Sequence, residues 1–147
     1  STMPKPSHQE VVPRWVYGEC LKILEEKYRE FRRLREAGEL RYALYALHDG
    51  LEAALKQYAK GAGVVTADAE KWMTLGDVLR ILSDHSLISG IENRMIRQVM
   101  EVRNWYKHRK PTAEPKKHEV DNCGVAYEVV MSKFRSRYGP LPPQSQQ

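Results

Sequence analysis

The sequence predicts an all-α fold, an antiparallel four-helix bundle with a short additional helix. Three observations lead there. Four long segments carry apolar residues spaced three and four apart. Glycine, proline and capping residues punctuate them where helices start and stop. Nowhere does a period-2 stretch sit between hairpin turns. Helices with one narrow apolar face each must bury those faces together, and a bundle is the economical way to do so.

The first helix is expected from about Val11 to Ala37, with Cys20, Leu21, Leu24, Tyr28, Phe31 and Leu34 on its stripe and Gly38 breaking it. The second runs from about Glu39 to Lys60, striped by Leu40, Leu44, Leu47, Leu51, Leu55 and Tyr58, and stops at Gly61-Ala62-Gly63. A loop follows, with a helical turn near Ala67 to Trp72. Thr74-x-x-Asp77 opens a short helix, Leu75 to Ser83, with a capping box. Ser89-x-x-Glu92 opens the next. That helix presents Ile88, Ile91, Met95, Val99, Val102 and Tyr106 on one face, and Pro111 ends it near His108. The last helix spans about Pro115 to Tyr138, striped by Val120, Cys123, Tyr127, Val130 and Phe134, and Gly139-Pro140 terminates it.

At 147 residues the chain has room for a single core. Its organisation reads as a disordered N-terminal segment over 1–10, one helical domain over 11–138, and a disordered Pro/Gln tail over 139–147. No apolar run approaches the roughly 20 residues of a membrane span, and the polar N-terminus lacks a signal-peptide core. The expected setting is therefore cytoplasmic, without membrane attachment. Cys20 and Cys123 both fall on apolar stripes and read as reduced core thiols.

The net charge is +5. Its distribution says more than its size. From Arg94 to His118 stand Arg94, Arg97, Arg103, Lys107, Arg109, Lys110, Lys116 and Lys117 against Glu101 and Glu114. That window holds the whole excess, and the remainder is nearly neutral. A local cationic patch suits a polyanion such as RNA.

The sequence holds no Gly-rich phosphate loop, nucleophile elbow, His-Glu-x-x-His or EF-hand pattern. Its carboxylates do not cluster as metal ligands, and Glu25-Glu26 reads as a solvated helix face. No cofactor is expected. What remains is Arg103-Asn104-Trp105-Tyr106-Lys107-His108, followed by Arg109 and Lys110.

This stretch resembles the Arg-polar-x-x-x-His signature of the HEPN domains, small helical bundles that are often dimeric and include many RNases and RNase toxins. Helical layout resembles the family from about Val11 to Tyr138, but motif-level likeness covers those six residues. The spacing alone is unspecific, for Arg80-x4-His85 and Arg41-x6-His48 match it too. The copy at Arg103 has Asn104 as the polar second residue, ends the helix before the last, and lies in the cationic window. His48, beside Leu47 in mid-helix, reads instead as a hydrogen-bonded structural residue. His85 belongs to a loop, and His8 and His118 read as solvated.

The resemblance implies a metal-independent endoribonuclease, a toxin or defence component, with an antitoxin or nucleotidyltransferase as the kind of partner expected. The residue types suit that chemistry. RNA supplies its own nucleophile, the 2′-OH, and His108 can serve as acid or base near neutrality. Arg103 can hold the charge that builds on the phosphorane oxygens. Asn104 would orient His108 or donate to a phosphate oxygen, while Lys107, Arg109 and Lys110 would hold flanking phosphates. Some HEPN toxins are modified by their partner on a Tyr two residues after the His. Here that position is Lys110, which argues against that route of control.

On a regular α-helix Arg103 and His108 lie about 140° apart. Either the helix unwinds at His108 or two chains share the site, and the resemblance implies the second, a homodimer with a cleft at its interface. A plainer reading pairs Arg103 with Glu52 or Glu92. Two non-enzymatic classes compete with the nuclease: an RNA- or nucleotide-binding helical module, including a small subunit of a nucleoprotein assembly, and a purely structural dimerisation domain.

Overall fold

The computed structural model describes residues 12–139. Six helices and one π-helical turn pack together in an all-α bundle, and no strand occurs among the described residues. They are α1 (Arg14–Glu36), α2 (Leu40–Gly61), the single turn α3 (Ala67–Glu70), α4 (Leu75–Asp84), α5 (Gly90–Asn104) and α6 (Lys117–Tyr138). The π-helical turn, Trp105–Arg109, continues α5. The expected disordered ends fall outside the described residues, apart from Gly139.

α1 and α2 form a hairpin because Gly38 takes a left-handed φ of +77°. Glu39 N–H then reaches back to Leu34 O at 2.9 Å, and Gly38 N–H to Arg35 O at 3.1 Å. That is the Schellman closure, in which a residue without a Cβ adopts φ > 0 at no steric cost. α2 is the axis of the molecule. It packs against α1, α4, α5 and α6, so it is buried on a broad face from Ala43 to Ala59.

The bundle closes tightly around α2. Tyr127 of α6 passes Gly50, where any Cβ would collide with its hydroxyl. It donates to Leu24 O of α1 at 2.7 Å, so one side chain ties three helices. Tyr58, further along α2, ties that helix to the loop between α4 and α5, donating to Leu87 O at 2.6 Å. Cys20 and Cys123 are free and buried, and burial pushes each thiol up to about 12.

Both expected capping boxes form, Thr74 with Asp77 and Ser89 with Glu92. Two expectations for α5 need correction. Ile91 is not on the inner face: it is 51% exposed, and Ile96 and Val99 hold the core with a fully buried Glu92. The reason is electrostatic. Arg137 of α6 grips the Glu92 carboxylate through both guanidinium nitrogens, one at 2.6 Å, so the inward position goes to a carboxylate with its partner. The second correction is the end of the helix, which is π-helical from Trp105 to Arg109 rather than α-helical to His108.

Candidate functional site

The π-helical turn creates the site. A bond from Lys110 N–H to Trp105 O, 3.0 Å long, spans five residues. Such a turn winds more slowly than an α-helix, and residues five apart return to one side. The turn and the loop after it are held from outside. Arg41 of α2 donates to Tyr106 O at 3.1 Å and Lys110 O at 3.2 Å, and also to Ala113 O. The Tyr106 ring is buried beneath, its hydroxyl on the Glu119 carboxylate. A cation over the last carbonyls of a helix is also favoured by the helix dipole.

The consequence is that Arg103, Asn104 and His108 line one cavity of about 380 Å³, together with His48, Glu52, Thr74, Leu75, Gly76 and Met100. The α-helical angle had kept Arg103 and His108 apart, and a single chain resolves it by local unwinding. Arg103 is half-buried and donates to Asn104 Oδ1 at 2.8 Å. Its guanidinium also lies 5.9 Å from the Tyr45 ring centre. Asn104 therefore orients Arg103, where the sequence pointed to His108. The acids proposed as partners for Arg103 are held elsewhere, Glu92 by Arg137 and Glu52 by Lys56 at 3.8 Å.

His108 is exposed at the rim. It also borders a second groove of about 440 Å³ with Glu101, Asn104, Trp105 and Arg109. Trp105 is 46% exposed there. Lys107, Arg109 and Lys110 are all exposed on the same turn.

The sequence reading missed His48. It is buried, yet Nδ1 has no hydrogen-bond partner, which corrects the expectation of a bonded structural residue. Burial, then the charges of Arg103 and Lys107, push its imidazole down to about 4. A buried polar atom without a partner costs free energy, and the ring that carries it stands in the cavity wall. The available signal was a histidine interrupting an otherwise apolar face, four residues before Glu52. Arg41 was missed as well, because its partners are backbone carbonyls 65 to 72 residues away.

The other histidines stay outside the site. His85 caps α4 with Nδ1 2.9 Å from Ile81 O, and His118 is exposed. His8 lies outside the described residues. Among the described residues no three His, Cys, Asp or Glu side chains gather as a metal site, and no helix is long and apolar enough to cross a membrane.

Comparison with family models, with curated proteins and with solved structures finds no match to this chain.

Proposed function

We propose that this chain is a metal-independent endoribonuclease of the HEPN type. The observation that carries the reading is the shared cavity: the π-helical turn brings a half-buried arginine and an accessible histidine to one pocket. Arg103, held by Asn104, stabilises the phosphorane oxygens. His108 exchanges the proton, as base toward the 2′-OH or as acid toward the departing 5′-oxygen. The O2′–P bond forms as the P–O5′ bond breaks, and the products carry 2′,3′-cyclic phosphate and 5′-OH ends. Lys107, Arg109 and Lys110 hold neighbouring phosphates, and Trp105 offers a face on which a base can stack.

A dimer with two such sites facing each other remains part of the proposal. One chain already brings Arg103 and His108 together, so pairing would serve RNA binding rather than completion of the pair.

The test is cleavage of labelled RNA in EDTA. Wild type should cut RNA but neither DNA nor 2′-O-methyl RNA. His108→Ala should lose about 10²–10⁴-fold in rate while keeping its helicity. DNA cut equally well would refute the mechanism. RNA bound but left intact by both proteins would favour the non-catalytic binding module.

A further inference from the structure

The Arg103–His108 pair leaves part of its cavity unused. One wall is the first turn of α4, Thr74, Leu75 and Gly76. The hydroxyl of Thr74 and the carboxylate of Asp77 are engaged with each other's backbone N–H in the capping box. The N–H groups of Leu75 and Gly76, the first two of the helix, have no carbonyl one turn back to bond. They carry the positive end of a ten-residue helix dipole. Gly76 is the wall's other peculiarity. A Cβ there would meet Met100 Sδ and Thr74 Oγ1 at an ordinary 3.7 Å, so packing would admit alanine, a better helix former. The glycine leaves the backbone open to the cavity.

Another part of the wall is His48, 4% exposed. Its Nδ1 is shut away without a partner, so a ligand can engage this ring only through Nε2. The nearby cations are Arg103 and Lys107. Glu52, the carboxylate in the wall, is paired with Lys56.

We infer that the cavity is a seat for a phosphoryl oxyanion, built from the first turn of α4, the Nε2 of His48 and the guanidinium of Arg103. This deepens the ribonuclease reading and rests on it for the ligand's identity, a phosphate of an RNA strand. An oxyanion in the seat accepts from the Leu75 and Gly76 N–H groups, from His48 and from Arg103. His48 is then a positioning residue that fixes which phosphate His108 meets at the rim. The anion also offsets the charge of Arg103 and Lys107 at His48, so seating it and protonating His48 favour each other.

Sulfate tests the seat apart from cleavage, because it stays a dianion at every relevant pH. The full chain is titrated with sodium sulfate against sodium chloride at matched ionic strength, with backbone amides and imidazoles followed by NMR. Saturable shifts are expected at Leu75, Gly76 and the His48 ring. With sulfate bound, the midpoint of His48 should rise, because the anion offsets Arg103 and Lys107, the cations that hold it down, in a cavity that Glu52 and His108 also line. Gly76→Ala should melt no lower than wild type yet bind sulfate about tenfold more weakly, the loss of about one charge-assisted hydrogen bond. Arg103→Gln should lose at least as much.

Shifts that never saturate, that stay on Lys107, Arg109 and Lys110, and that ignore both variants would overturn the seat. Saturable binding at α4 and His48 by a protein that leaves RNA intact in EDTA would keep the seat and refute the nuclease. RNA cleavage with no sulfate response at α4 or His48 would do the reverse.

Discussion

The two ends of α5 treat buried polar groups in opposite ways. At the N-terminal end Glu92 is fully buried and fully answered. Ser89 gives it a backbone and a hydroxyl hydrogen bond, at 2.9 and 3.0 Å, and Arg137 closes on both carboxylate oxygens. At the C-terminal end His48 is buried beside Arg103 and has an unmet nitrogen, and the helix opens into a π turn over a cavity. A satisfied buried ion pair fixes how α5 meets α6. An unsatisfied buried ring beside a cavity stabilises nothing by itself. Placing the cost of an unpaired polar group next to a guanidinium and an exposed histidine is what marks that end as the functional candidate.

The largest effect should come from breaking the closed end. Glu92→Ala leaves Arg137 with no carboxylate and removes the capping box. Loss of one partner of a buried pair costs about 3–5 kcal/mol, and urea unfolding should show a loss in that range. Cleavage per folded molecule should stay within a few-fold of wild type. A specific loss of rate in molecules that are still folded would show that the two ends are coupled.

The open end should respond to pH instead. An unfolded histidine titrates near 6.5, and burial with Arg103 and Lys107 holds His48 near 4. The folded chain therefore resists a proton that the unfolded chain accepts. Stability from this group is fully present above pH 6.5 and is lost as the pH falls toward 4. The span corresponds to about 3 kcal/mol. Asp77 and Asp121 are held below the ordinary carboxylate range, by the Thr74 cap and by Arg35 respectively, so their loss comes at lower pH. His48→Leu should flatten the interval between pH 6.5 and 4. An unchanged slope in that variant would mean that another group titrates there.

What the sequence revealed follows the same division. The capping boxes and the helix stripes were readable because period and local hydrogen bonding determine them. Ile91 was misplaced because burying Glu92 requires Arg137, 45 residues away, and no local pattern announces that partner. Arg103, Asn104 and His108 could be picked out by spacing and charge. Their meeting in one cavity could not, because it depends on a π turn whose carbonyls are held by Arg41 across the bundle. His48 looked like a core residue since it sits in mid-helix beside Leu47. Its unmet nitrogen appears only when the surrounding helices are in place.

The third test separates the two ends by loosening the turn. Arg41 satisfies the carbonyls of Tyr106, Lys110 and Ala113 and also bonds the Tyr45 hydroxyl at 2.9 Å. Arg41→Ala removes these donors from the π turn and from the loop that follows it. Hydrogen bonds from a charged group are worth about 1.5–3 kcal/mol, and water can replace part of that at a half-exposed site. A net loss of about 2 kcal/mol is expected, smaller than for either buried group. The loss should be local. Amide exchange at Lys110, whose N–H closes the turn on Trp105, should speed up, while exchange at Asn93, whose N–H bonds Ser89 O at the capped end, should not. RNA cleavage should fall with it, since the turn no longer holds His108 beside Arg103. Arg41→Lys should fail to restore either property, because one ammonium cannot reproduce the spread of guanidinium donors. If exchange quickens equally at Asn93 and Lys110, α5 opens as one unit and the contrast between its ends has no energetic meaning.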